Sequence, residues 1–321
     1  MSQINRRNLI VGAGLATAFG MPSRLIIDPA LAQVTADPAE PYFTYKVGDA
    51  EITAIYDGIQ EKPHDPAFIA NASIDDTKAA LKQAGLPAEF VSIPYTVSVI
   101  KLGGKVILCD SGTGGQVAPT AGKFMGKFKA EGFDPAKVDT ILISHMHPDH
   151  IFGLMEKDTN KQVFPNAEII VSDAEYKFWT DPAVIDKLPE KRKGLAKRIQ
   201  ATFPKWKNVK QVRGEAEVAP GIHFVNAPGH TPGHRAFLLA SGNEQHMFSN
   251  DTCYVPAFGV NHPEWHGSYD QNGDMAEATR RKLMDRVVAD SIALSGYHFP
   301  FPGTGKIVKD GAGYALISDK A

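Results

Sequence analysis

The strongest constraint on the fold is a short apolar run, residues 138–144, that passes directly into His145-Met146-His147-Pro148-Asp149-His150. A β-branched apolar stretch of this length reads as a buried strand. Pro148 disfavours helix at His147 and through the following segment, so the ligand-capable side chains are expected on a loop leaving that strand. Helical zinc proteases instead carry histidines at i and i+4. In an extended segment His145 and His147 share one side while Met146 points away, and a turn after Pro148 can bring Asp149 and His150 back toward them. That density of imidazole and carboxylate points to bound metal.

Further ligands must come from elsewhere. His230 in Pro228-Gly229-His230-Thr231-Pro232-Gly233-His234, Asp251 in Ser249-Asn250-Asp251 and His298 in Gly296-Tyr297-His298 all stand at predicted strand ends. In α/β proteins sites gather at such ends. His234 begins a strand and is expected to support the ligands rather than be one. His64, His223, His246, His262 and His266 have no such context and default to surface or core roles.

The rest of the chain alternates strands and helices. Strand segments fall within 42–56. Ser73 with Asp76 makes a capping-box start for a helix ending at Gly85. Residues 96–102 and 105–109 flank Gly103-Gly104, a hairpin signal. A helix is expected over 118–131, closed by Gly132. A strand over 169–172, a helix from Asp173 and a lysine-rich helix over 190–203 follow. Strands are expected at 221–226, 235–240 and 245–250, then a helix opened by Asp274 and Glu277 and running to about 290. A strand at 292–295 and a hairpin pairing 306–308 with 314–317 complete the chain. The pattern indicates an α/β layered protein without linker or short repeat. Two cysteines, Cys109 and Cys253, each follow a predicted strand; whether they pair stays open.

Residues 1–32 are set aside as an export signal. Arg6-Arg7 precedes an uncharged stretch too short to span a membrane, and Ala30-Leu31-Ala32 offers a cleavage site. The paired arginines resemble a twin-arginine signal, with a general secretory signal as the alternative. Residues 33–321 would then form one exported domain, periplasmic or secreted. The 321-residue chain is 43% apolar with a formal net charge of −2, which supports a sizeable core and argues against a nucleic-acid partner.

Together the His-x-His-x-Asp-His run, Gly-His-Thr-Pro-Gly-His, an Asp after a strand and a late His resemble the metallo-β-lactamase superfamily over nearly the whole mature chain. Within it, residues 140–150, Phe164-Pro165-Asn166-Ala167, Phe178-Trp179 and Phe301-Pro302-Gly303 look most like the methyl parathion hydrolase group and its lactonase relatives. The resemblance implies a four-layer αβ/βα sandwich with two divalent ions at one edge. Zinc is the expected metal, with manganese, cobalt or iron compatible with the same donors. One ion would take His145, His147 and His230, and the other Asp149, His150 and His298, with Asp251 bridging both. A hydroxide shared by the ions, held through Asp149 and Asp251, would attack a lactone or ester carbonyl, or a phosphotriester. Asp110 resembles the family's aspartate that orients a ligand histidine, although a strand-end turn role fits it equally.

Trp179 matches an aromatic lining the leaving-group pocket of the methyl parathion hydrolase group. Val117 stands where that group has phenylalanine, which favours a lactone or carboxylic ester over a phosphotriester. Trp179 as plain core packing, the basic stretch 187–210 as a solvated helix face, a β-lactamase activity and a non-catalytic metal sensor are the competing readings. The expected partner is a small ester or lactone, without nucleic acid or a membrane span after signal removal, and a homodimer stays open. No general acid is evident.

Overall fold

The computed structural model describes residues 37–319, so the expected export signal at 1–32 lies outside the described residues. Seven strands form the first sheet in chain order: β1 (Tyr42–Val47), β2 (Ala50–Pro63), β3 (Phe90–Leu102), β4 (Lys105–Cys109), β5 (Thr140–Ile143), β6 (Glu168–Ser172) and β7 (Val209–Val212). Hairpins join β1 to β2 and β3 to β4, a helical segment over 64–89 returns β2 to β3, and all three pairs are antiparallel, whereas β4 to β7 run parallel through crossover segments. The second sheet contains β8 (Glu217–Ala219), β9 (Ile222–Asn226), β10 (Arg235–Ser241), β11 (Glu244–Phe248), β12 (Ala293–Ser295), β13 (Thr304–Asp310) and β14 (Gly313–Ser318). Only the β11–β12 pair in it is parallel.

The helices are α1 (Ile74–Gln83), α2 (Phe124–Ala130), α3 (Pro148–Ile151), α4 (Asp173–Thr180), α5 (Glu190–Thr202), α6 (Pro256–Gly259) and α7 (Gly273–Ala289). None of the described helices is long and apolar enough to cross a membrane.

The period-2 geometry of a strand explains the layering. Leu142 and Ile170 point between the sheets, where they meet Phe224, Phe237 and Leu239. Their neighbours Ile141, Ile143, Ile169 and Val171 point to the opposite face and pack with Phe128, Trp179 and Ile199 from the helices. Against the outer face of the second sheet lie Leu283, Met284 and Val287 of α7. Both sheet faces are therefore covered, as the apolar runs of parallel strands require, and the layers are helix, sheet, sheet, helix.

Three local expectations change. Pro148 does not keep the ligand segment out of helix: it occupies the first position of α3, with His147 as the extended N-cap. Proline's fixed φ and missing N–H suit that position, so it starts a helical turn and forbids one only upstream. The helix expected over 118–131 begins only at Phe124, because Gly122 (φ +96°) turns the chain where a Cβ would meet Gly115 Cα at 2.3 Å. Finally, α7 is capped by Asn272, whose side chain accepts from Met275 N at 3.0 Å, rather than opened by Asp274. Cys109 lies between the sheets and Cys253 under α7, both as buried free thiols.

Candidate metal centre

The ligand-capable residues converge on one edge of the sandwich from the C-terminal ends of β5, β11 and β12 and from the loop between β9 and β10. Two glycines of that last loop are sterically required. A Cβ on Gly233 would lie 2.1 Å from Glu175 N, and one on Gly229 (φ +129°) would lie 2.3 Å from Ala276 N. The loop can therefore press against α4 and α7 and carry His230 inward.

Among the described residues, two groups place one ligand atom per residue within 4.8 Å of one another: His145, His147, His230 and Asp251, and Asp149, His150, Asp251 and His298. Asp251 belongs to both. In the first group His147 Nδ1 lies 2.9 Å from His145 Nε2 and 3.0 Å from His230 Nε2, and Asp251 Oδ2 is 3.3 Å from His230 Nε2. In the second, His298 Nε2 lies 3.2 Å from Asp251 Oδ2 and 3.4 Å from Asp149 Oδ2. His150 Nε2 is 3.3 Å from Asp149 Oδ2 and 3.2 Å from Asp251 Oδ1, yet both it and Asp251 Oδ1 lack hydrogen-bond geometry to any partner.

The remote nitrogens explain why the near ones are free. Ser144 Oγ donates to Asp110 Oδ2 at 2.7 Å, so at 3.0 Å it accepts from His145 Nδ1 and leaves a lone pair on Nε2. His150 Nδ1 donates to Asp110 Oδ2 at 2.7 Å, His230 Nδ1 to Asp270 Oδ1 at 2.9 Å and His298 Nδ1 to Pro94 O at 2.9 Å. Each bond fixes a tautomer and turns Nε2 toward the centre. Lone pairs crowded at about 3 Å with nothing between them would be costly, so these residues fit two cations.

Electrostatics agree. Burial, and then the neighbouring imidazoles, hold His145 and His147 well below the usual histidine value, hence neutral and able to ligate. Burial would also lower His150, but Asp251, Asp149 and Asp110 together outweigh it and push it well above. Three carboxylates around one imidazole call for positive charge, which a metal ion would meet.

Asp110 sits where it orients His150, at φ +61°, and has no exposed surface. His234 accepts from Asp251 N at 3.2 Å and steadies that loop. A cavity of about 240 Å³ opens onto the centre and includes Val117 in its wall, together with Phe68, Ile93 and Leu195. Trp179 is not part of that wall. It is fully buried beneath the ligand loop, and its Nε1 donates to Glu175 Oε1 at 2.7 Å. The pocket role expected for Trp179 gives way to the core-packing alternative. The basic stretch contributes Lys191 and Arg192 to the wall, while Glu168 and Glu190 pair with Lys210 and Lys193 away from it.

Sequence reasoning missed Glu175, Asp270, Arg280, Tyr269 and Tyr297. Buried Glu175 accepts from Met146 N (2.9 Å), Thr231 Oγ1 (2.7 Å) and Gly233 N (3.0 Å), joining the two histidine loops. Tyr297 donates to Asp149 O at 2.7 Å, its ring 4.1 Å from that of His150. Only Tyr297, adjacent to His298, carried a positional signal.

Comparison with known proteins gives a coherent picture. The profile described as "Metallo-beta-lactamase superfamily" matches residues 93–289. An N-acyl homoserine lactonase of Bacillus sp. is 27% identical over 172 residues, which covers 48% of this chain and 61% of the relative. The N-acyl homoserine lactonase AttM of Agrobacterium fabrum is 30% identical over 133 residues, covering 40% and 46%. The chain thus spans about 61% of the length of the first of these curated relatives. Among solved structures, AidC, a dizinc quorum-quenching lactonase in complex with a product, superposes with a TM-score of 0.82 at 27% identity, covering 87% of this chain and 98% of AidC. The hydrolase AbOPH gives 0.81 at 27%, covering 88% and 99%.

Proposed function

The chain belongs to the metallo-beta-lactamase superfamily, and we propose that within it the protein is a dinuclear metal-dependent hydrolase that opens N-acyl homoserine lactones. The observation that carries this reading is Asp251, shared by two ligand groups that face one largely apolar cavity. The first group would hold one divalent cation and the second another. The donor set and the dizinc relative support zinc. When bound, such ions supply Lewis acidity and a water acidic enough to act as a nucleophile near neutral pH.

The chain's own residues do the rest. Asp110, Asp270 and the Pro94 carbonyl hold the imidazoles in register. Phe68, Ile93, Val117 and Leu195 offer an acyl chain an apolar wall, where each buried methylene contributes about 0.8 kcal/mol. Lys62 Nζ donates to the Tyr269 hydroxyl, whose own proton is then free to point into the cavity. Burial raises that phenol to about 12, so near neutral pH it remains a donor for a carbonyl or leaving oxygen. Trp179, the aromatic expected to line a phosphotriester's leaving-group pocket, lies outside the cavity wall.

The test loads purified protein with Zn²⁺ and follows proton release from N-hexanoyl homoserine lactone, one proton per ring opened near neutral pH. Rapid turnover that chelation abolishes and Zn²⁺ restores is expected. Metal-loaded protein that leaves the lactone intact would refute the reading.

A further inference from the structure

Arg280 on α7 is a charged side chain with no exposed surface. Its Nε donates to Thr252 O at 2.9 Å, its Nη1 to Pro263 O at 2.7 Å and Trp265 O at 3.0 Å, and its Nη2 to Asp270 Oδ2 at 3.1 Å. The other oxygen of Asp270 accepts from His230 Nδ1. Taking a guanidinium out of water costs several kcal/mol unless its partners are well placed, and here they lead to two ligands. Thr252 follows Asp251 in the chain, and Asp270 orients His230.

Both of those ligands belong to the first group. In the second, His150 is fixed by Asp110 and His298 by Pro94 O, neither of which Arg280 touches. Apart from the backbone beside Asp251, the support from Arg280 and Asp270 therefore reaches the first group alone, whereas Asp110 reaches both, His150 directly and His145 through Ser144 Oγ. A carboxylate on the remote nitrogen makes an imidazole a stronger donor and locks its tautomer. A guanidinium behind that carboxylate keeps it ionised and correctly turned.

We propose that Arg280 and Asp270 form a positioning pair that sets the metal affinity of the His145–His147–His230 group independently of the other group. The proposal rests on the two-ion reading of the site. It predicts that one ion can be loosened while its neighbour stays bound.

Chelated wild-type protein, Asp270→Asn and Asp110→Asn are titrated with Zn²⁺ against a competing chelator to read both affinities, and each metal-free protein is melted to check its fold. Wild type should bind two ions. Asp270→Asn should weaken one of them about 10- to 100-fold and leave the other within about threefold, the scale expected for losing an outer partner. Asp110→Asn, which loosens His150 directly and His145 through Ser144, should by contrast weaken both ions. Should Asp270→Asn fail to fold because Arg280 is left without its counter-charge, Asp270→Asn/Arg280→Met removes both charges and should show the same selective loss. Equal weakening of both ions by either Asp270 variant, or no change in either, would overturn the pair's role. A wild type that binds one ion would overturn the dinuclear reading and this inference with it.

Discussion

At the residue scale, the centre consists of histidines whose far nitrogens, that of His147 excepted, are held by hydrogen bonds that turn the near nitrogens inward. Asp251 is the one side chain common to both groups. Asp251→Ala should therefore lower kcat/KM by more than about 100-fold, beyond the upper range for losing an outer partner, and reduce the bound metal below two ions per chain. Steady-state kinetics and elemental analysis check both outcomes. Trp179→Phe has the opposite profile. It removes the donor to Glu175 and should cost about 1–3 kcal/mol in chemical denaturation. The ratio of kcat/KM between short- and long-chain lactones should stay unchanged, because the ring is not in the cavity wall. The metal-facing histidines were legible because they cluster in short motifs at strand ends. Trp179 was not, since a large aromatic on a helix gives one signal whether it faces a pocket or the core. Glu175, Asp270 and Arg280 were hidden for a related reason: charged residues on and beside helices ordinarily face water, and only tertiary packing shows these three buried.

At the scale of elements, what the sequence predicted well is what local chemistry decides. The Ser73–Asp76 capping box is present in both directions at the start of α1. Ser73→Ala should destabilise the fold by about 1 kcal/mol while leaving lactone turnover within twofold, a combination read from a urea melt and a single kinetic assay. The Gly103-Gly104 hairpin joins β3 and β4 in the expected register. Where local signals admit two outcomes the reading strayed. Proline both forbids a helix behind it and starts one ahead, and the apolar spacing before α2 gave no warning of the turn at Gly122. The basic stretch shows the same duality: α5 places Lys191 and Arg192 on the cavity wall, while Glu190 and Lys197 face solvent and Arg198 binds Asn160 and Gln116.

At the scale of the whole molecule, the sandwich supplies a rigid edge on which four separate segments meet. The layered class was legible from alternating strands and helices, and the order of strands within each sheet was not, because pairing depends on distant segments. One stability consequence is independent of the centre. His246, buried between the sheet residues Tyr45 and Ser295, is pushed by burial down to about 3. Its unfolded value is about 6.5, so below that pH the unfolded chain takes up a proton that the folded chain refuses. Stability should fall progressively as pH drops from about 6.5 toward 3. His246→Asn should flatten that slope by about one proton in denaturation curves collected across the range. Metal should act in the other direction. Zinc at about 1,000 times its dissociation constant should add about 4 kcal/mol per site to the metal-free protein, seen as a higher melting temperature that chelation reverses.

The most direct test of the central claim is a comparison of kcat/KM for the Zn²⁺-loaded protein across an N-acyl homoserine lactone, an aryl ester, methyl parathion and a β-lactam. The account predicts that the lactone leads by about tenfold or more, equivalent to about 1.4 kcal/mol of preferential transition-state binding. A lead for methyl parathion or the β-lactam, or an absence of lactone turnover by protein carrying both ions, would contradict it.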